Sequence, residues 1–299
     1  MSTPKIAVIG ASGQVARALR DVADKRGTNL VCAGRETADI CDASQIKRFL
    51  IETRPSIVVN AAAYTAVDKA QTDFETALSV NVEGSATVAT FSKWMNIPLI
   101  HISTDYVFDG LKTTPYLEDD ARKPLSVYGW SKSDGEDAVR AALAQHIIVR
   151  TAWVYSTFGS NFVKTMLRLG AERDVVRVIA DQHGTPTSAE DLAGALLDVA
   201  QRVHLDSDAA PWGTYHLTGA GQTTWHGLAA EIFRLSAEAG HKVPRVEAIT
   251  TAEYPLPAAR PAYGVLDNAK IRTAFGIKLP PWQESLAVCV RQLQSRDYP

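Results

Sequence analysis

The chain has little cysteine and no long hydrophobic run, and each shortage excludes a class of protein. Its 299 residues include three cysteines, Cys32, Cys41 and Cys289, which lie far apart and form no CxxC pair. This spacing excludes a disulfide framework and a thiolate metal site, and it is typical of a reducing compartment. No apolar run reaches the roughly 20 residues that a helix needs to cross a bilayer.

Net charge is also nearly absent, since 31 basic and 33 acidic residues leave a formal charge of −2. Nucleic acids and anionic membranes are bound through an excess of basic residues, so we expect neither as a partner. A strand pattern begins close to Met1, and together with the lack of a long apolar run this predicts a cytoplasmic protein. Hydrophobic residues make up 46% of the chain, enough for the core of one large domain or two unequal ones.

The first half alternates short β-branched runs with amphipathic stretches. Strands are predicted at residues 5–9, 29–33, 56–60 and 98–103, and helices at residues 14–25, 43–53 and 73–95. Continuous apolar strands with short crossovers indicate a parallel sheet that helices cover on both faces. We therefore predict a doubly wound parallel sheet.

The second half, after Trp153, shows a looser pattern. Helices are predicted near residues 161–170, 189–202, 225–239 and 282–294, with loops that carry Pro and Gly between them. This pattern predicts two domains, a dinucleotide-binding domain over residues 1–155 and a smaller, mainly substrate-binding α/β domain over residues 156–299. Some segments of the second are expected to return to the first.

A glycine-rich turn, Gly10-Ala11-Ser12-Gly13-Gln14-Val15-Ala16, follows the first strand and opens the first helix. Its first glycine permits a tight turn, its second lets the backbone approach a pyrophosphate, and the final alanine permits close helix packing. Free N–H groups at the start of the helix favour an anion. The strand before and the helix after this turn predict a dinucleotide site. The predicted cofactor contacts in the turn are Gly10, Ser12, Gly13, Gln14 and Val15.

Two later segments extend this site towards the adenosine. The second strand ends at Arg35, where an acid would otherwise bind the ribose hydroxyls. An arginine can pair with a 2′-phosphate, which favours NADPH over NADH, and the alternative is a solvated surface cation. Asp39 and Ile40 can meet the adenine edge, and the small residues at the end of the third strand leave space for a dinucleotide. Further cofactor contacts are predicted from Arg35, Asp39, Ile40, Ala61, Ala62, Ala63 and Tyr64.

Tyr128 and Lys132 stand one helical turn apart, on the same face of a helix. Reduction of a ketone needs a hydride at carbon and a proton at oxygen. A free tyrosine, with a pKa near ~10, is a reluctant acid–base unless a nearby cation stabilises its phenolate. The Ser103-Thr104-Asp105 strand end can hold a substrate oxygen, although such residues usually form turns. Together the two segments predict catalytic roles for Thr104, Tyr128 and Lys132, and the latter two are also predicted to contact the cofactor.

Five segments, in their order and spacing, resemble those of the extended short-chain dehydrogenases. They are the glycine turn, Asn60-Ala61-Ala62-Ala63, Asn81-Val82-Glu83-Gly84, the Ser-Thr-Asp strand end and the YxxxK pair. Within that superfamily the chain is similar, over its whole length, to the dTDP-4-dehydrorhamnose reductase family. The similar segments are residues 63–70, 103–110, 150–155, 161–167, 181–187 and 260–261. The resemblance implies an α/β fold, with a Rossmann-type doubly wound parallel sheet and a smaller C-terminal α/β substrate domain.

The same resemblance implies an activity, the reduction of the C4 ketone of dTDP-4-dehydro-L-rhamnose by NADPH or NADH, which is the last step of dTDP-L-rhamnose synthesis. Tyr128 would donate the proton, Lys132 would tune it and hold the nicotinamide ribose, and Thr104 would orient the keto oxygen. The sugar would be contacted by Asp105, Tyr106 and Trp153, the last through its aromatic face.

One departure from the family concerns metal. Some members dimerise around a magnesium ion held by acids, one of them on the first helix, where this chain has Gln14-Val15-Ala16-Arg17. We therefore predict no metal site and leave a homodimer open. His183, His216 and His226 are isolated in the sequence and are expected to be structural or solvent-facing.

Three alternatives stay open at this point. A nucleotide-sugar epimerase or 4,6-dehydratase of this superfamily typically has a glutamate after the Thr-Asp pair, where this chain has Tyr106. A reductase of another nucleotide-linked 4-keto sugar would need the same residues. A non-catalytic regulatory subunit, like the beta subunit of methionine adenosyltransferase, resembles the same family and can keep the Tyr–Lys pair. Turnover distinguishes an enzyme from such a subunit.

Overall fold

A computed structural model of the chain describes residues 3–295. The strands are β1 (Ile6–Ile9), β2 (Leu30–Ala33), β3 (Ile57–Asn60), β4 (Leu99–Thr104), β5 (His146–Thr151), β6 (Val154–Tyr155), β7 (Val175–Ile179), β8 (His183–Gly184), β9 (Thr187–Ser188), β10 (Gly213–His216), β11 (Thr223–Thr224) and β12 (Arg245–Ile249). The helices are α1 (Gln14–Arg26), α2 (Arg35–Ala38), α3 (Ala43–Thr53), α4 (Val67–Ala70), α5 (Phe74–Leu78), α6 (Gly84–Trp94), α7 (Val127–Ala142), α8 (Phe162–Glu172), α9 (Ala189–Leu205), α10 (Trp225–Glu238), α11 (Ala269–Phe275) and α12 (Trp282–Gln294). Residues 1–2 and 296–299, at the outer ends of the two predicted domains, lie outside the described residues.

Six parallel strands form the central sheet, in the order β10–β5–β4–β3–β1–β2. The strand order reverses between β1 and β3, and in doubly wound sheets the crevice at the carboxyl ends of two such strands binds ligands. The glycine turn follows β1 and residues 61–64 follow β3, so the topology places both at this crevice. The predicted α/β fold with a doubly wound parallel sheet is confirmed.

Apolar side chains cover both faces of the sheet, as the uninterrupted apolar strands predict. Val8 and Val59 face a layer formed by α1, α9 and α11, whereas Ile9 and Val58 face α3, α6 and α7. Full burial of each such side chain contributes roughly 1.5–3 kcal/mol to the hydrophobic driving force. Within residues 3–295, every helix is too short or too polar to cross a bilayer.

Residues after 155 take part in two cores. Helices α9 and α11 and strand β10 belong to the layers of the central sheet, whereas α8, α10, α12 and β7 enclose a second core that includes Met166, Ile232 and Leu286. Strands β7 and β10 and helix α11 are absent from the sequence-based pattern. Strand β10 pairs with β5, which lies far earlier in the chain, and such a pairing leaves no local signal. The division at residue 155 stays a prediction.

The helix predicted over residues 73–95 is not continuous. A π-helical turn, Ser79–Glu83, separates α5 from α6. Within it, the Asn81 side chain holds both backbone groups of Tyr64, through 2.9 Å and 3.1 Å hydrogen bonds, and reaches Ser131 Oγ at 2.9 Å. The extra residue of the π turn directs this amide at the crevice, which the helical period of the sequence does not reveal.

Candidate active site

Cofactor residues predicted from separate segments line one cavity at the carboxyl ends of β1 and β3. The cavity has a volume of about 130 Å³, and its walls include Gly10, Ser12, Gly13, Arg35, Asp39, Ile40, Ala61, Ala62 and Ala63. Gly10 has a φ of 103°, and a Cβ there would lie 2.6 Å from the Ala62 nitrogen. Only glycine fits this turn, and the open cradle at the start of α1 fits the phosphates of a dinucleotide.

Three predicted cofactor residues have side chains that contact other protein residues: Gln14, Val15 and Tyr64. Oε1 of Gln14 accepts hydrogen bonds from Ser156 Oγ at 2.8 Å and Asn161 Nδ2 at 3.0 Å, and Val15 packs into the core. The Tyr64 hydroxyl donates to an Asp73 carboxylate oxygen at 3.0 Å. Cofactor contacts from Gln14 and Val15 would therefore use their backbone N–H groups.

Helix α7 carries Tyr128 and Lys132 across the end of β4. The helix is capped by Ser126, whose Oγ accepts a hydrogen bond from the Gly129 nitrogen at 3.2 Å. The Tyr128 hydroxyl lies near the Thr104 side chain, which can hydrogen-bond to it. Nζ of Lys132 donates to the Ile102 carbonyl at 2.7 Å. The structure thus brings together the three residues for which catalysis is predicted.

Burial controls the protonation of this pair. It raises the pKa of Tyr128 to about 12, and the hydrogen bond to Thr104 opposes the shift. It also lowers the pKa of Lys132 to about 8, and the Glu136 carboxylate opposes that shift. At neutral pH the tyrosine is therefore a protonated donor and the lysine is mainly cationic. This state suits the protonation of an oxygen atom on which negative charge develops.

Asp105 follows Thr104 and is enclosed by protein. Its Oδ1 accepts a hydrogen bond from Thr104 Oγ1 at 3.0 Å, and burial raises the pKa of its carboxyl to about 7. Gly264 lies against the other oxygen, because a Cβ at that glycine would be 2.6 Å from Asp105 Oδ2. Asp105 therefore changes charge near neutral pH, beside the hydroxyl groups of Thr104 and Tyr128.

The comparisons with known proteins agree with this geometry. The family model described as "RmlD substrate binding domain" matches residues 4–295. A dTDP-4-dehydrorhamnose reductase of Sinorhizobium fredii is 43% identical over 281 residues, which are 94% of this chain and 95% of that protein. The chain belongs to the dTDP-4-dehydrorhamnose reductase family. The resemblance drawn from the sequence motifs is therefore confirmed.

Solved structures of the dTDP-4-dehydrorhamnose reductase family share the fold over nearly the whole chain. The enzyme from Clostridium acetobutylicum superposes with a TM-score of 0.90 at 37% identity, covering 97% of this chain and 99% of that one. The enzyme from Bacillus anthracis, solved in complex with NADP, has a TM-score of 0.88 at 34% identity and covers 96% of this chain and 99% of that one. Like this chain, both therefore combine the central sheet with the second core.

The ring of Trp153, which is predicted to contact the sugar, is packed on both faces by other residues. Its ring stacks on Trp225 with centroids 3.6 Å apart, and the Gly184 backbone lies against its other face, where a Cβ would be 2.4 Å from Cε2. Both faces are covered, so the ring presents an edge rather than the predicted face. Trp153 has a φ of 46°, a backbone strain of the kind that clusters at functional sites.

Tyr106 belongs to a network that the sequence analysis missed. Its hydroxyl lies near Arg260, whose guanidinium forms a bidentate pair with Asp68 at 3.0 Å and 2.7 Å. Burial raises the pKa of Tyr106 above its ordinary value. These residues are far apart in the sequence, and the only available signal was their presence in segments similar to the dTDP-4-dehydrorhamnose reductase family.

The histidines of this family member differ in their surroundings. His216 is fully buried, with Nδ1 3.1 Å from the Tyr116 carbonyl and Nε2 3.3 Å from Arg150, whereas His183 is exposed. In the part of the chain that the structure describes, no group of three or more His, Cys, Asp or Glu side chains is placed to hold a metal ion. The absence of a metal site stays a prediction.

Proposed function

We propose that the chain reduces the C4 keto group of dTDP-4-dehydro-L-rhamnose with NAD(P)H and forms dTDP-L-rhamnose, the last step of dTDP-rhamnose synthesis. The observation that carries the proposal is the buried Thr104–Tyr128–Lys132 arrangement at the carboxyl end of β4, on the same edge of the parallel sheet as the glycine turn that follows β1. Membership of the dTDP-4-dehydrorhamnose reductase family supports the choice of substrate.

The bound cofactor supplies a hydride to the C4 carbon, and the chain's own residues supply the proton and the orientation. Thr104 holds the keto oxygen beside the tyrosine. As negative charge develops on that oxygen, Tyr128 donates its phenolic proton to it. The Lys132 ammonium stabilises the phenolate that remains and also holds the nicotinamide ribose.

The sugar is proposed to lie against Asp105, Tyr106 and the edge of Trp153, with residues 156–299 forming most of the substrate-binding part. The support comes from position. Asp105 and Tyr106 directly follow Thr104, and Trp153 follows β5, the strand that pairs with β4. In open α/β sheets, the carboxyl ends of the strands are the usual place for a ligand.

NADPH is proposed to be favoured over NADH because of Arg35. This exposed arginine begins α2 directly after β2 and lines the cavity opposite the glycine turn. A guanidinium binds a phosphate through two charge-assisted hydrogen bonds, which a ribose hydroxyl cannot match.

The deciding experiment follows the absorbance of the reduced nicotinamide with purified protein and dTDP-4-dehydrorhamnose, using NADPH and NADH in parallel reactions. We expect oxidation of the cofactor with equimolar formation of dTDP-L-rhamnose, identified by chromatography, and a lower KM for NADPH. A second 4-keto sugar, dTDP-4-dehydro-6-deoxy-D-glucose, is the matched substrate control. Cofactor binding without oxidation would contradict the proposal and support the regulatory alternative, and faster turnover of the control sugar would overturn the substrate assignment.

A further inference from the structure

Three side chains on successive turns of α7 meet three consecutive residues at the end of β4. The tyrosine and the lysine of the catalytic pair contact two of these residues, as described above. One turn further along, Oε1 of Glu136 accepts a hydrogen bond from Ser103 Oγ at 2.6 Å. Residues spaced by four lie on one face of a helix, so Tyr128, Lys132 and Glu136 form a single row against the strand.

Glu136 is an acid with no exposed surface, and three arginines surround its carboxylate. The most distant is Arg122, which precedes α7 and places Nη1 3.7 Å from Oε2. Arg150, on β5, donates to both of its carboxylate oxygens, Nε to Oε1 at 2.8 Å and Nη2 to Oε2 at 2.7 Å. Arg140, one turn later on α7, donates to Oε2 at 2.7 Å. The Arg150 side chain is 1% exposed. A buried carboxylate is costly unless it is paired in this way, so Glu136 stays ionised.

The pair lies next to the catalytic lysine, in surroundings that screen charge poorly. The Glu136 carboxylate acts on Lys132 in the direction that keeps it protonated, against the effect of burial. The other titratable and charged groups that face this region are Arg122 before α7, Arg140 on α7, His101 on β4, Asp105 after β4, Arg150 on β5 and His216 on β10. Burial lowers the pKa of both histidines, so these are neutral at physiological pH. Glu136 is therefore the permanent negative charge of the row.

We propose that Glu136, fixed by Arg150 and Ser103, is a positioning residue that keeps Lys132 charged and in register with Tyr128. It acts through Lys132 and does not touch the substrate. This inference rests on the proposed function, because it assigns Glu136 a part in the same proton transfer.

The test compares the pH profiles of kcat/KM in Glu136→Gln and Arg150→Gln. The first variant leaves a positive charge unpaired near the lysine, which favours loss of the Tyr–Lys protons, so the alkaline limb moves to lower pH. The second removes one of the cations that neutralise Glu136 and leaves Arg140 and Arg122, so the carboxylate acts more strongly on the lysine and that limb moves to higher pH. Each shift is expected to be on the order of one pH unit, the usual effect of one nearby buried charge.

Asp137→Asn is the matched control, because Asp137 is the next residue on α7 and lies on the solvent side of the helix. It shares Arg122 and Arg140 with Glu136, but its substitution leaves the buried Arg150 pair and the Ser103 hydrogen bond in place. Its pH profile should coincide with that of the wild type. Circular dichroism and thermal unfolding report whether each variant folds. If Arg150→Gln does not fold, the comparison of Glu136→Gln with Asp137→Asn decides. Ser103→Ala is then the milder second variant: it removes a donor to the Glu136 carboxylate and should move the limb in the same direction as Arg150→Gln, by a smaller amount.

Equal loss of activity at every pH, or an unmoved alkaline limb in Glu136→Gln, would show that the carboxylate is only structural and would overturn the inference. Titration of the lysine side chains by NMR, with ¹³C at Cε, measures Lys132 without turnover. If the wild type fails to reduce the sugar while Lys132 still loses its proton at lower pH in Glu136→Gln, the proposed function fails and the charge relation between Glu136 and Lys132 stands. An unchanged Lys132 titration refutes that relation whatever the activity.

Discussion

The substitution Tyr128→Phe removes the hydroxyl that is proposed to donate the proton and keeps the packing of the aromatic ring. The phenol is 9% exposed and its ring packs edge-on against Tyr106, with centroids 5.5 Å apart. Phenylalanine keeps these ring contacts and loses the hydroxyl that lies near Thr104. Loss of one buried hydrogen bond costs about 0.5–1.5 kcal/mol of folding free energy. The protein should therefore stay folded.

The loss in catalysis is expected to be much larger. A general acid contributes typically about 10²–10⁴ in rate, so kcat should fall by that factor. At about 1.36 kcal/mol for each tenfold change, this is about 2.7–5.4 kcal/mol of transition-state stabilisation, several times the loss in stability. The difference between the two magnitudes identifies the hydroxyl as a reacting group rather than a structural one.

The assay measures kcat with dTDP-4-dehydrorhamnose and NADPH, together with NADPH binding by fluorescence and the free energy of unfolding. Tyr215→Phe is the matched control, since Tyr215 is equally buried, donates its hydroxyl to the Pro211 carbonyl and lies on β10, away from the crevice. It should lose a similar amount of stability and keep its activity. If Tyr128→Phe turned over at the wild-type rate while binding NADPH normally, the assignment of Tyr128 as proton donor would be wrong.

Three further predictions test other parts of the site. Gly184→Ala places a methyl group against the Trp153 ring, which cannot move away because Trp225 covers its other face. The free energy of unfolding should fall by roughly 1–3 kcal/mol, and KM for the sugar nucleotide should rise while NADPH binding is unchanged. An unaltered KM would exclude the Trp153 edge from the substrate site. Arg35→Gln should raise KM for NADPH roughly 10-fold or more, because hydrogen bonds to the charged 2′-phosphate that contribute about 1.5–3 kcal/mol are lost. KM for NADH, which lacks this phosphate, should be unchanged. Equal effects on both cofactors would refute the phosphate contact. Burial raises the pKa of Asp105 to about 7 in the folded protein, from an ordinary value of 3.8. Ionisation of this carboxyl therefore destabilises the folded state by on the order of 4 kcal/mol. This destabilisation is absent below pH ~4, grows as pH rises and is complete above pH ~7. Asp105→Asn should therefore stabilise the protein more at pH 8 than at pH 5 in thermal unfolding, and an equal effect at both would contradict the raised pKa.

Local sequence patterns predicted those parts of the fold in which neighbouring residues cooperate. The apolar runs at β1, β3 and β4 and the helices α3 and α12 lie where periodicity places them. The turn at Gly10 was equally readable, because a strand, a tight turn and a helix follow one another along the chain. The i, i+4 spacing of Tyr128 and Lys132 is likewise a property of α7 alone.

Contacts between distant segments were decided only by the tertiary structure. The buried charge of Glu136 is stabilised by Arg150, which lies on another strand. Arg260 pairs with Asp68 across most of the length of the chain, and the faces of Trp153 are covered by Gly184 and Trp225. None of these has a local period, since each arises when the sheet order brings separate strands and loops to one edge. The sequence by itself therefore determined the fold class and the family and pointed to a candidate catalytic pair. The burial that sets the protonation of Asp105, Tyr128 and Lys132 came from packing, because desolvation depends on every segment that surrounds a group.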